Sequence, residues 1–347
     1  MTMEAQELAQ RLGGVLEGRS EVLLDNVRPP ESAGDGDLAW IADHREIPKG
    51  IAASAVLVGP GRPSEELLDV PTIIRHENSQ EAFARAILLL HPEPEPPFDG
   101  ISETARIHPE SHIAEDVHIG PAVFIGSEVE IENETVIHPG AVILGPTKIG
   151  TGVTIHANVV IYGNTQIGAG STIHAGTVIG GDGFGYAVSS DGARKIPHRG
   201  GVRIGPDVEI GCNCTIDRGA LEETILGEGC KLDNLVHIAH NVEVGPHSFF
   251  AAQVGIAGSS KVGQGCEFGG QSGMAGHLEV GDKVRVAAQT GILKNFGSDL
   301  MLMGFPADDG RHMRKVFSLV SQLPELRDRI RQLEQHIKRN ESPDETS

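Results

Sequence analysis

His240, Gly258 and Gly276 follow one another at intervals of 18 residues, and His277 adjoins the last of them. In a chain that coils with an 18-residue period, the first three stack in a column. His277 then lies two coils above His240 and one step sideways. Two coils span about 10 Å at the usual strand spacing, so both imidazoles can face one groove with glycine backbone between them. A glycine there lets a substrate approach the main chain, and its N–H can bind the negative charge that builds on an attacked carbonyl. A base beside an oxyanion donor suits acyl transfer. Asp233, seven residues before His240, falls near a corner of the same coil, where it would orient the imidazole and stabilise its protonated form. The plainer reading of Asp233-Asn234 is a polar turn.

The 18-residue period comes from a shorter one. Fourteen isoleucines recur every six residues from Ile101 through Ile107 and Ile113 to Ile179. Two positions before each of Ile107 to Ile179 stands Ala, Ser, Thr or Val. Neither an amphipathic helix nor a single alternating strand repeats in this way. Two inward positions separated by one outward residue make a short strand, and three such hexads close a triangular coil. The repeat breaks after Ile179, resumes at Ile204, Ile210 and Ile216, slips again, and holds from Leu226 to Ile292, giving 29 hexads. At three per turn they build nine to ten coils, a prism about 45 Å long. The 45 glycines of the whole chain, about twice the usual share, suit such frequent turning, and 4% aromatics suit a narrow interior.

Three regions follow. Residues 1–97 lack the hexad and mix helix-like stretches (Glu4 to Leu12, Ser79 to Leu90) with apolar runs such as Ala55-Val56-Leu57-Val58, the pattern of a small α/β domain. They end in the proline-rich linker His91 to Pro97, stiff because successive prolines fix φ. Residues 98–300 carry the coil, interrupted by a loop at 180–201 whose Phe184 and Tyr186 are candidates for lining a ligand groove. Residues 301–347 form a helical extension and tail. There Leu319, Leu323, Leu326, Ile330, Leu333 and Ile337 mark a heptad seam, with Pro324 expected to begin a second helix. So short a seam is expected to pack against copies of itself.

The net charge of −20 argues against nucleic acid as a partner. The charge is uneven, with eight Lys and Arg against three Asp and Glu between Arg311 and Asn340. A basic tail on an acidic protein either meets an acidic partner or is an ordinary solvated helix. Cys212, Cys214, Cys230 and Cys266 form no CxxC pair and read as small packing residues. No apolar stretch is long enough to cross a membrane as a helix, and no secretory leader is evident, which points to the cytoplasm. Among the 16 histidines, His138, His156 and His174 make a second 18-residue column, read as a solvated or subunit-facing ladder rather than a metal site.

At Asp182-Gly183-Phe184-Gly185-Tyr186-Ala187, Lys195-Ile196-Pro197, Thr215-Ile216-Asp217-Arg218-Gly219-Ala220, Ile238-Ala239-His240-Asn241 and Gly276-His277 the chain resembles the UDP-3-O-acylglucosamine N-acyltransferases. The resemblance implies a mainly β protein in three parts: an N-terminal uridine-binding α/β domain, a left-handed parallel β-helix and a C-terminal helical extension. It further implies a homotrimer that needs no cofactor or metal. That family moves a 3-hydroxyacyl chain from acyl carrier protein to the 2-amino group of UDP-3-O-acylglucosamine in lipid A biosynthesis. By resemblance, His240 is the general base, the Gly258 N–H holds the oxyanion, and His277 helps to hold the substrates. Asn241, Phe184 and Tyr186 are expected to face substrate, and the basic tail is expected to dock the acidic carrier protein.

The uridine site departs from the family pattern of an aromatic, Asn-Pro and Tyr. Here the chain reads Trp40-Ile41-Ala42-Asp43-His44-Arg45-Glu46, which keeps a stacking ring but offers only acceptors at Asp43. Alternatives are the related O-acyltransferase acting on UDP-N-acetylglucosamine, a γ-type carbonic anhydrase-like metal enzyme, and a non-catalytic binding β-helix. The extra domain at residues 1–90 argues against the first.

Overall fold

The computed structural model describes every residue except 49, 68–69, 93–95, 97, 305–309 and 342–347. Most of the proline-rich linker therefore lies outside the described residues. The chain divides into two compact units, Met1–Pro97 and Phe98–Ser347.

The first unit is built on a five-stranded sheet in the order Val15–Gly18, Thr72–Arg75, Ala55–Val58, Asp37–Ile41, Asn26–Val27. The first pair is antiparallel and the others parallel. Side chains alternate across it, as strand geometry requires. Ala55 and Leu57 pack with Leu8, Leu12, Ala82 and Leu90 of the helices Ala5–Leu12 and Ser79–Leu90, whereas Val56 and Val58 join Ile41, Ile51 and Leu67 opposite. The second helix starts where Asn78 Oδ1 accepts from the Glu81 N–H at 3.2 Å.

The second unit is a three-sided parallel β-helix, as the hexad period predicts. Its sides are parallel sheets of ten, ten and nine strands. On one side Ile125 pairs with Ile143, Ile143 with Ile161 and Ile161 with Ile179. These isoleucines are buried one above another with Val123, Ala141 and Val159 of the small inward position. Ile101, 51% exposed, sits in the first coil and bridges Ile119 of the next. The small inward residues also satisfy corner carbonyls. Thr135, Ser248 and Ser260 donate to Gly150, Gly263 and Ala275, and the Cys230 and Cys266 thiols donate in the same way to Gly245 and Gly281. Burial pushes both thiols above the ordinary range, the behaviour of inert packing groups. Corners turn through residues in the left-handed region, among them Asn158, Asn213 and Asn241, whose short polar side chains tolerate it.

Two insertions leave the ladder without breaking it. After Val178–Asp182 the chain emerges as a hairpin, Tyr186–Ser189 against Gly192–Lys195, and re-enters at Gly201–Ile204. The later slip is absorbed before Glu223–Leu226, and Ile216 still pairs with Ile238. Arg218 ties down the exit of the hairpin by donating to the carbonyls of Gly180 at 2.6 Å and Gly163 at 2.7 Å.

The C-terminal segment is one helix, Gly310–Glu341, with Pro324 inside it. The expectation that Pro324 begins a second helix is therefore corrected. One proline removes a single N–H, and the long helix runs on through that gap. The heptad residues Leu319, Leu323, Ile330, Leu333 and Ile337 are all more than half exposed. No helix among the described residues is long and apolar enough to cross a membrane.

Candidate active site around His240

The column read from the sequence exists. His237 pairs with Gly255, Gly255 with Gly273 and Gly273 with Gly291, which places His240, Gly258 and Gly276 one above another at the ends of their strands. The Ser259 N–H donates to the His240 carbonyl at 2.9 Å and the His277 N–H to the Gly258 carbonyl at 3.0 Å. His277 thus occupies the corner above Ser259, with φ of 60°. The Ala257 and Ser259 amides on either side are spent on Met274 and His240 carbonyls, whereas the Gly258 N–H has no acceptor among the described residues.

The imidazole of His240 is held between two bare stretches of backbone. A Cβ on Gly258 would lie 2.5 Å from His240 Nε2, and a Cβ on Gly183 would lie 2.8 Å from its Cδ2. Neither glycine has φ in the left-handed region, so space rather than conformation demands glycine at both. Gly185 does the same for a second ring, since its Cβ would lie 2.9 Å from His198 Cε1. The two glycines of the Gly183-Phe184-Gly185 turn therefore press the hairpin's base onto two histidines.

Asn241 sets the tautomer. The Ala220 N–H donates to Asn241 Oδ1 at 2.9 Å, which fixes that atom as an acceptor. The same oxygen lies 3.2 Å from His240 Nδ1, so in the neutral ring Nδ1 carries the proton and Nε2, facing Gly258, carries the lone pair. The structure thus places Asn241 directly against the His240 ring.

Asp233 is not beside His240. Its carboxylate accepts from the Asn234 N–H at 2.7 Å, the polar-turn arrangement, and lines a groove of about 1020 Å³ with His174, Phe249 and Met301 on the neighbouring side of the prism. Each hexad carries the chain to the next side, so a spacing of seven takes the carboxylate off the face that holds His240. The carboxylate on the strand adjacent to that of His240 is Asp217, in Thr215–Arg218. Its side chain is 16% exposed and 3.7 Å from His237 Nε2. Burial is the larger influence and raises its pKa, opposed by the nearby His237, His240, His198 and Lys195 side chains. His237 is held on its other nitrogen by Thr215 Oγ1 at 2.7 Å, and buried His198 meets the His240 ring edge-on at 5.1 Å. Sequence reasoning missed Asp217, His198 and His237 as site residues. Asp217 stood in a quoted motif without a role.

Phe184 and Tyr186 form an exposed edge-to-face pair, with centroids 5.1 Å apart. Lys195 lies over the Tyr186 ring and donates to the Gly183 carbonyl. Above His237, Gly255 and Gly291 have nothing within 4 Å of a would-be Cβ, so the sheet face there is a side-chain-free track.

The model for the bacterial transferase hexapeptide (six repeats) matches residues 223–258, the segment that holds His240 and Gly258, and the model for the GMPPB C-terminal domain matches residues 101–184. The UDP-3-O-acylglucosamine N-acyltransferase of Porphyromonas gingivalis strain W83 is 41% identical over 339 residues, 97% of each chain. That of Methylobacillus flagellatus is 42% identical over 257 residues, 74% of this chain and 72% of the relative. The chain belongs to the UDP-3-O-acylglucosamine N-acyltransferase family. A solved UDP-N-acetylglucosamine O-acyltransferase from Moraxella catarrhalis is 27% identical and covers 62% of this chain and 77% of its own, with a TM-score of 0.48.

Within this N-acyltransferase, Trp40 and Asp43 lie in the N-terminal unit but line different clefts. Trp40 stacks on Phe83 at 5.0 Å, donates from Nε1 to Ser79 at 3.1 Å, and borders a cleft of about 340 Å³ with Arg28 and His91. Asp43 borders one of about 800 Å³ with His44 and Arg62. Arg45 lines both. The second histidine column is a ladder: His138 on His156 and His156 on His174, each pair 4.8 Å apart, with His174 3.1 Å from Glu209. Its rings stack face on face and do not converge on a point, as ligands to one metal would.

Proposed function

We propose that this acyltransferase moves a 3-hydroxyacyl chain from the thioester of acyl carrier protein to the 2-amino group of UDP-3-O-acylglucosamine. The observation that carries the reading is His240, its Nδ1 proton committed to Asn241 and its Nε2 aimed at the Gly258 backbone. The amine nitrogen attacks the thioester carbonyl, forming the C–N bond while the carbonyl electron pair moves to oxygen. His240 Nε2 takes the amine proton, and the Gly258 N–H holds the oxyanion. The C–S bond then breaks, and the thiolate leaves with the proton from the imidazolium. His277, at the corner two coils up, helps to hold the substrates.

The remaining parts fit the same reading. The glycine track above His237 gives an alkyl chain a surface free of side chains. The clefts beside Trp40 and Asp43 are the places for uridine in the N-terminal unit. The exposed heptad face suits self-association into a homotrimer, and the basic C-terminal helix suits the acidic carrier protein. The four free cysteines fit a reducing compartment, the cytoplasm.

The test is transfer from 3-hydroxyacyl carrier protein to UDP-3-O-acylglucosamine by the unmutated protein and by His240→Ala. Turnover by the former and a loss of roughly 10²–10⁴-fold in a folded variant are expected, the usual contribution of a general base. An unmutated protein without turnover at several chain lengths would sink the reading. An active His240→Ala would require another base.

A further inference from the structure

The acyl-transfer mechanism uses His240, Asn241 and Gly258, yet further ionisable groups stand around the base with no task. His198 is 1% exposed at the foot of the inserted hairpin, its ring edge-on to His240 at an interplanar angle of 66°. Its Nδ1 lies 3.0 Å from the Ile196 carbonyl, an acceptor, so that nitrogen carries a proton and the ring cannot turn freely. Gly185 closes on it from one side, as Gly183 closes on His240. Asp217 lies on the strand beneath His237–Ile238, mostly buried, with Thr215 and His237 fixing its surroundings. The titratable groups facing it are His237, His240, His198 and Lys195, and Lys195 is shared with Asp182 at 3.8 Å.

A base that accepts a proton becomes a cation, and the ring of His240 is half-buried. Such a cation is stabilised by a fixed negative charge nearby, and its ring must keep one orientation through the transfer. Asp233 supplies neither, since it lies on another side of the prism. We propose that Asp217 and His198 are positioning residues for the acyl transfer: Asp217 carries the counter-charge of protonated His240, and His198 holds the plane of its ring. The hairpin thereby couples to catalysis, because it delivers both His198 and the two glycines that clamp the rings. This inference rests on the reading of His240 as the base.

Asp217 also gives the test its discriminating readout. Its pKa is raised, so the folded protein holds this proton more tightly than the unfolded chain. The ionised carboxylate therefore costs stability, which falls as pH rises from the ordinary carboxylate range through the raised value. In Asp217→Asn at neutral pH, kcat should fall about 10- to 100-fold with KM within about twofold, while Tm stays level or rises. A structural role would lower Tm. Unchanged kcat, or a loss of kcat matched by a lower Tm, overturns the proposal. His198→Ala should lose about tenfold in kcat and His198→Gln, which keeps side-chain length, should recover most of it; equal turnover in all three overturns the role of His198. Should Asp217→Asn not fold, histidine 15N spectra of the unmutated protein through the acid range decide. A second response of the His240 ring as Asp217 protonates supports the coupling, and a single step overturns it. These spectra need no turnover, so they separate failure here from failure of the acyl-transfer reading.

Discussion

Two histidine columns run along the same β-helix, and they differ in what lies above each ring. In the column of His138, His156 and His174 every coil repeats the side chain, and the rings cover one another's faces at 4.8 Å. In the column of His240 the next two coils carry Gly258 and Gly276, and the ring faces bare backbone. A strict repeat copies an environment from coil to coil and fills the space a substrate would need. Chemistry becomes available where the column is emptied and where an inserted hairpin adds groups the repeat cannot supply.

The sharpest way to break that contrast is to refill the empty column. Gly258→Ala places a methyl where His240 Nε2 now lies within 2.5 Å of the ideal Cβ, without forcing the backbone into a strained region. The ring must move by about an ångström, a displacement that can cost on the order of 100-fold in rate. Turnover should therefore fall about that far while the Tm changes little. Turnover and thermal unfolding of this one variant check it, and full turnover would mean that His240 Nε2 is not where the proton goes.

The same contrast explains what the sequence revealed. The prism, its register and the column of His240, Gly258 and Gly276 were legible because an 18-residue ladder converts spacing into position without knowledge of side-chain contacts. Asp233 was misplaced by that same arithmetic, since a spacing of seven is one side of the triangle and not a return to the same face. Asp217 and His198 reach His240 through the slips at 180–201 and before Glu223, where the period no longer predicts what stacks on what. Pro324 shows the limit of local rules, because the helix continues through it. Trp40 and Asp43 are three residues apart in sequence yet border separate clefts, which only the packing of Phe83 and Arg62 against them decides.

Breaking the filled column should cost less and should not touch catalysis. His156→Ala removes a ring from between two others, and aromatic pairs contribute about 0.5–1.5 kcal/mol each beyond their burial. A loss of roughly 1–3 kcal/mol in unfolding free energy with unchanged turnover is expected, measured by denaturant midpoint and by the transfer assay. A collapse of turnover would show that the ladder is part of the active site and that the contrast is false.

The smallest effect concerns protons. Burial lowers the pKa of His138 below its ordinary value of 6.5. The unfolded chain then binds a proton that the folded ladder refuses, so stability is full above the unfolded value and is lost as pH falls through it toward the lowered one. Moving from pH 7 to about 5.5 should lower the denaturant midpoint of the unmutated protein, and His138→Gln should reduce that drop. An identical drop in the variant would place the acid sensitivity outside His138.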